Sequence, residues 1–108
     1  MVPKPDSSWR PCGENRHLNN VIRPDRYPLP NIRDFTNNSK GCSVFSKLDL
    51  VKGYHQVTTS KADIFKTGIV TSFGLFEFLS LHFGLKNTAQ TFQRLMDRIL
   101  RELPYVFI

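Results

Sequence analysis

Cysteine is almost missing from this 108-residue chain: Cys12 and Cys42 are the whole supply. Two thiols so far apart make neither a disulfide framework nor a zinc site of the C-x-x-C kind. Histidine is equally sparse, and His17, His55 and His82 lack the close spacing of a metal-binding helix, so they are expected to be ordinary satisfied or exposed side chains. Long hydrophobic runs are absent too. Nothing approaches the roughly 18 apolar residues of a membrane span, and the start, "MVPKPDSSWR", lacks the apolar heart of a signal peptide. The chain therefore reads as intracellular, soluble and free of membrane. Acidic residues are in deficit, 9 against 15 Lys and Arg, and the net charge of +6 suits a polyanionic partner such as nucleic acid, although solubility alone asks for charge as well. The length fits one small domain or a piece of one, and is short for a complete enzyme.

What is present divides into recognisable stretches. "PDSS" holds turn formers between "MVPK" and "WRPC", which predicts an open hairpin kept at a sheet edge by its prolines, an exposed basic flap. Three prolines in "VIRPDRYPLP" forbid a regular helix or central strand and predict an extended connector between two subregions. In "NIRDFTNNSKG", Ile32 and Phe35 lie one helical turn apart and Gly41 stands as a stop, so a short helix is expected. "CSVFSKLDL" has the composition of a buried strand, "VKGYHQ" reads as a turn around Gly53, and "KTGIVTSFGLFEFLSL" as two strands joined at "SFG". Together these predict an antiparallel sheet.

The strongest periodicity comes late. In "NTAQTFQRLMDRILREL", Ala89, Phe92, Leu95, Met96, Ile99, Leu100 and Leu103 recur at helical spacing, with Asn87 and Gln90 as a capping-box-like pair and Pro104 as the stop. "YVFI" then reads as the start of a further strand, so the chain looks cut off. No internal repeat is visible.

One residue stands out against this background. Asp49 is a carboxylate inside "KLDLVKGY", where burial would be costly unless it is paired, hydrogen-bonded or metal-bound. Bonding to the amides of the following turn, or pairing with Lys47 or Lys52, would satisfy it. A magnesium ligand at a strand end would satisfy it equally, since magnesium takes hard oxygens and few protein carboxylates.

Several separated stretches, "VPKPDSSWRPCGENRHLNN", "RYPLP", "FSKLDLVKGYHQV" and "TSFGLFEFLSLHFGLKNTAQTFQRLMDRIL", in this order and spacing, resemble the reverse transcriptase of gypsy-like long-terminal-repeat retrotransposons. The resemblance runs nearly end to end. It implies an α+β chain forming part of a right-hand polymerase, with 1–30 as fingers hairpin and connector and 31–108 as a portion of palm and fingers. It further implies an RNA-directed DNA polymerase within a Gag-Pol polyprotein, partnered by template–primer, deoxynucleoside triphosphates and the remaining modules, thumb, ribonuclease H and integrase among them. By the same analogy the setting is a cytoplasmic virus-like particle and the nucleus.

By that resemblance Asp49 is one of three carboxylates holding two magnesium ions about 4 Å apart, with the carbonyl of Leu50 as a further ligand. The turn Val51, Lys52, Gly53 and Tyr54 would face the triphosphate, and the Tyr54 ring would exclude a ribose 2'-hydroxyl; core packing is the plainer role for such a tyrosine. Lys4 and Arg10, flanking "PDSS", would meet the β- and γ-phosphates, although exposed hairpin cations also serve only as solvated surface. Phe83 and Gly84 would sit beside the incoming nucleotide, and Arg16, Asn87 and Gln93 would be template or primer contacts.

The family's aromatic-x-Asp-Asp motif is expected directly after "YVFI", so two of the three carboxylates are not among these residues, and the chain alone is expected to be inactive. "PDSSW" has no turn glycine, and His82 stands where proline is common. Two other readings compete: a non-enzymatic nucleic-acid-binding remnant, marked by salt-dependent binding without incorporation, and an unstable product with an open sheet edge and no role.

Overall fold

The longest element forms where the apolar periodicity is strongest. Residues Thr88–Leu100 make a helix, α3 in chain order, and Met96 from its stripe is buried while Phe92, Leu95 and Leu100 are half-buried. The computed structural model describes residues 1–10 and 12–108. Ahead of α3 lie β1 (Val2–Pro3), β2 (Trp9–Arg10), α1 (Arg16–Val21), α2 (Ile32–Asn38), β3 (Ile69–Thr71) and β4 (Gly74–Phe76), with 3₁₀ turns at Gly53–Gln56 and Ile64–Thr67. The chain is α+β, with small antiparallel sheets and helices.

Both expected hairpins form. β1 pairs with β2, Val2 opposite Arg10, and β3 pairs with β4, Ile69 opposite Phe76. The first turn closes without glycine because Ser7 takes φ 63°, while the Asp6 carboxylate accepts hydrogen bonds from the amide and hydroxyl of Ser8. Those two bonds hold the Asp6 carboxyl below its ordinary range. α2 appears where expected, started by a full capping box between Asn31 and Asp34 and followed by Gly41 at φ +82°.

Four expectations are corrected. The single antiparallel sheet is instead two separate hairpins, with an isolated Thr58–Ser80 bridge outside both. Residues 42–50, read as a buried strand, are irregular and exposed: Val44 and Leu48 lie 86% and 90% open. A strand exists by pairing, and among the described residues no neighbouring strand hydrogen-bonds to 42–50, so the stretch stays irregular. "YVFI" is likewise no strand; Phe107 packs on Phe35 at 5.2 Å instead. Asn87 occupies the N-cap position of α3 but its side chain does not cap, and no capping box with Gln90 forms. Its amide is engaged elsewhere, as described below. α1, not anticipated within the basic flap, adds a short helix after the hairpin.

Burial is unusual in kind. Met96 is the one buried apolar residue among those described, whereas Asn15, Thr67, His82, Thr88 and Gln93 are all buried polar groups. The accessible surface, 9268 Å², is about half as much again as a compact chain of this mass exposes. The radius of gyration, 16.8 Å, exceeds the roughly 13 Å of a compact domain of this length. Among the described residues no helix is long and apolar enough to cross a membrane.

Candidate functional site

Three stretches distant in sequence meet at one stack of side chains. The Arg10 guanidinium, at the end of β2, lies 4.1 Å from the centre of the Phe83 ring. Tyr54, from the 3₁₀ turn Gly53–Gln56, packs on the same Phe83 at 4.9 Å and edge-on against Phe92 of α3 at 5.2 Å. A cation over an aromatic face contributes about 0.5–1 kcal/mol at an exposed site, and each aromatic pair a similar amount. Arg10 makes no ion pair among the described residues, so the stacked guanidinium keeps its N–H edge for an anion. An apolar platform beside a fixed cation is chemistry that suits a phosphorylated, flat-ringed ligand.

The loop carrying Phe83 is anchored on both sides. Among the described residues His82 has the most deeply buried side chain, 2% exposed, and stacks on Phe78 with ring centres 3.8 Å apart and nearly parallel. Its Nε2 lies 3.4 Å from the Asn15 amide, and its carbonyl accepts from the Thr88 hydroxyl at 2.9 Å. Burial pushes the His82 imidazole below the ordinary histidine range. The backbone of Ser80 acts against that, and the nearby charge of His55 adds to it. Gly84 adopts φ +93°, and a Cβ there would come within 3.1 Å of the Asn15 amide nitrogen. From α1, Asn19 donates to the Gly84 carbonyl at 2.7 Å and accepts from the Lys86 amide at 2.9 Å.

The other residues singled out in the sequence fall into three groups. Gly53 brings its backbone against the Phe92 ring, where a Cβ would lie 3.1 Å away, and the left-handed residue of that turn is Lys52 at φ 53° rather than the glycine. Val51 and Lys52 are exposed; the Val51 carbonyl accepts from the Gln56 amide at 3.4 Å. Asp49 and Leu50 sit at the exposed end of the irregular stretch 42–50, and Asp49 makes no ion pair with Lys47 or Lys52. Lys4 stands in the hairpin turn, its amide donating to the Ser8 carbonyl at 2.8 Å. Arg16 is exposed and pairs with Glu14 at 3.2 Å.

Asn87 and Gln93 belong to a strap that ties the proline-rich connector to α3. The Asn87 amide donates to the Arg23 carbonyl and accepts from the Asp25 amide. Arg94 bonds both oxygens of Asp25 and lies over the Tyr27 ring at 4.7 Å. Tyr27 donates to Asp97 at 2.7 Å, and buried Gln93 donates to the same carboxylate at 2.9 Å. The bond to Asp97 raises the Tyr27 phenol above its usual range; the Tyr27 amide, then Arg94, lower the Asp25 carboxyl. The fold thus brings Arg10, Tyr54 and Phe83 together, with Gly84 next to Phe83 in the chain and Gly53 against the Phe92 ring. Asn87 and Gln93 lie in the connector strap, and Asp49, Leu50 and Arg16 lie apart.

Magnesium needs several hard oxygens, and a tightly held pair of ions needs shared carboxylates. Among the described residues no three His, Cys, Asp or Glu side chains gather in a way that would hold a metal. Asp49 offers one suitable ligand, and the donor set around it is incomplete. Sequence reasoning overlooked His82, Asn15, Asn19 and Arg94. A signal existed for two of them: Asn15 and Asn19 stand at a four-residue spacing that puts both on one side of a helix. The Arg94–Asp25 pair leaves no local trace.

The family described as "Reverse transcriptase (RNA-dependent DNA polymerase)" matches residues 2–107. The retrovirus-related Pol polyprotein from transposon 297 of Drosophila melanogaster is 42% identical over 108 residues, covering 95% of this chain and 10% of the polyprotein. That from transposon gypsy is 40% identical over 97 residues, covering 86% of this chain and 9% of the polyprotein. The RNA-directed DNA polymerase homolog of Oenothera berteroana is 41% identical over 95 residues, 88% of this chain and 67% of that protein. The chain spans about a tenth of the length of the Drosophila polyproteins it matches.

Proposed function

Since this chain belongs to the reverse transcriptase (RNA-dependent DNA polymerase) family, we propose that it carries the nucleotide-facing part of an RNA-directed DNA polymerase within a retrotransposon polyprotein. The supporting observation is the Arg10–Phe83–Tyr54 stack, which joins residues from the first hairpin, the turn after Asp49 and the loop before α3. In this reading residues 1–30 are fingers hairpin and connector, and 31–108 a portion of palm and fingers of a right-hand polymerase. Arg10, with Lys4 nearby on the same hairpin, takes the phosphates of a deoxynucleoside triphosphate. Phe83 and Tyr54 form the floor under its base and sugar, and Tyr54 rejects a 2'-hydroxyl by bulk.

The family works with divalent metal ions, and Asp49 with the Leu50 carbonyl is proposed as this chain's contribution to a magnesium site. Further carboxylates have to come from outside these residues, so the chain by itself is expected to bind template–primer through its basic surface without extending it. The remainder of the polyprotein is the partner that would cover the exposed apolar residues of 42–50 and 105–108.

A chimera tests the proposal: the matched stretch of the transposon 297 polymerase is replaced by this chain and supplied with RNA template, DNA primer, deoxynucleotides and magnesium. Extension is expected, and Asp49→Asn should lower it by about a hundred-fold or more, with template–primer affinity nearly unchanged. Equal extension by Asp49→Asn would remove Asp49 from the metal site. A chimera that binds template–primer and never extends it would reduce the chain to a nucleic-acid-binding module.

A further inference from the structure

We propose that Asn15 and Asn19 are positioning residues of the nucleotide site, holding the loop 82–86 so that Phe83 lies between Arg10 and Tyr54. The role assigned to the stack rests on the function proposed above; the positioning itself rests only on the fold.

α1 contributes almost nothing to the interior. None of its six residues is buried, and Val21 at its end is 81% exposed. What the helix supplies is two amides on one side. Asn19 grips the later part of the loop with both ends of its amide, donating to the Gly84 carbonyl and accepting from the Lys86 N–H, while its own carbonyl receives the Lys86 ammonium at 3.4 Å. Asn15, one turn earlier and 8% exposed, holds the beginning of the loop. Its nitrogen lies 3.3 Å from the Gly13 carbonyl and 3.4 Å from His82 Nε2.

Phe83 is bracketed between these two anchors. A carboxamide carries its donor and its acceptor on two separate atoms, so aspartate can retain only the Lys86 prong and alanine retains neither. Asn15 follows Arg10 by five positions in the chain. The cation and the ring it covers therefore share one anchor, and a slip of the loop against α1 changes the Arg10–Phe83 separation.

The experiment uses the full 108-residue chain with isotopic labels. The Arg10 side-chain protons, held over the Phe83 ring, report the stack through ring-current shifts in the NMR spectrum. Deoxythymidine triphosphate is the probe for binding. Asn19→Ala is expected to abolish the Arg10 ring-current shifts and weaken triphosphate binding about five-fold, the loss that one hydrogen bond of average strength accounts for. Signals from the β3–β4 hairpin should stay in place. Asn19→Asp is expected to show an intermediate shift, and it serves also if the alanine variant fails to fold. Asn20→Ala, on the same helix but outside the loop contacts, should alter neither readout.

Arg10 shifts that keep their full size in folded Asn19→Ala, or in folded Asn19→Asp when only that variant folds, would overturn the positioning role. Shifts that vanish in the variant while triphosphate binding is unchanged, or while no triphosphate binding is found even with the unaltered chain, would uphold the positioning role and overturn the nucleotide reading of the stack; shifts absent from the unaltered chain would overturn both.

Discussion

Replacing Gly84 by alanine is expected to destabilise the chain by about 2–3 kcal/mol, from two separable causes. Gly84 lies at φ +93°, where an L side chain costs about 1–2 kcal/mol through the clash of Cβ with the backbone. The new Cβ would also stand 3.1 Å from the Asn15 nitrogen, pushing that buried amide off Gly13 and His82 and forfeiting about 1 kcal/mol of hydrogen bonding. Gly41 provides the control: it has φ +82° and nothing within 4 Å of a built Cβ, so Gly41→Ala carries the backbone cost alone. Urea unfolding followed by circular dichroism measures both, with sulfate added to strengthen burial and keep the transitions in range. At a slope of about 1–1.5 kcal/mol per molar, Gly84→Ala should lower the midpoint by about 2 M and Gly41→Ala by about 1 M. Equal shifts for the two variants would refute the Asn15 contact as a constraint on the loop. A Gly84→Ala midpoint equal to that of the unaltered chain would refute the loop geometry itself.

Tyr54→Ala in the chimeric polymerase should admit ribonucleotides, read as incorporation of ribo- against deoxynucleoside triphosphates; an unchanged preference would end the proposed sugar gate. The buried His82 predicts a pH effect with a definite sign. Its folded pKa lies below the ordinary 6.5, so the unfolded chain binds the extra proton first. That contribution is present above about pH 6.5 and is lost as pH falls through the lowered folded value. Urea midpoints should therefore drop as pH falls below about 6.5, and His82→Gln should flatten that drop. An identical pH profile in the variant would show that His82 does not carry it.

Much of the local structure could be read directly, because its causes lie within a few residues. Asn31 and Asp34 satisfy each other's backbone donors wherever α2 is placed, so the helix follows from its own sequence. The "PDSS" and "SFG" turns close hairpins for the same reason. The apolar stripe of α3 announced both the helix and the burial of Met96. The motif resemblance also singles out Arg10, Tyr54 and Phe83, whose rings and guanidinium meet in one stack.

Tertiary structure alone decided the rest, wherever a side chain had more than one partner to choose from. Asn87 is a good helix cap in isolation, yet its amide goes to Arg23 and Asp25 of a connector more than 60 positions earlier. His82 looked like an ordinary substitution and is the most buried side chain among the described residues, because Phe78 covers its ring and Asn15 meets its edge. Residues 42–50 have the composition of a strand and remain irregular, because strand composition supplies no hydrogen-bonding neighbour. Sequence by itself thus determined the family, the hairpins, α2 and α3, whose interactions close over short distances. Which distant groups meet was decided in three dimensions, since hydrogen bonds and stacking depend on separation in space rather than along the chain.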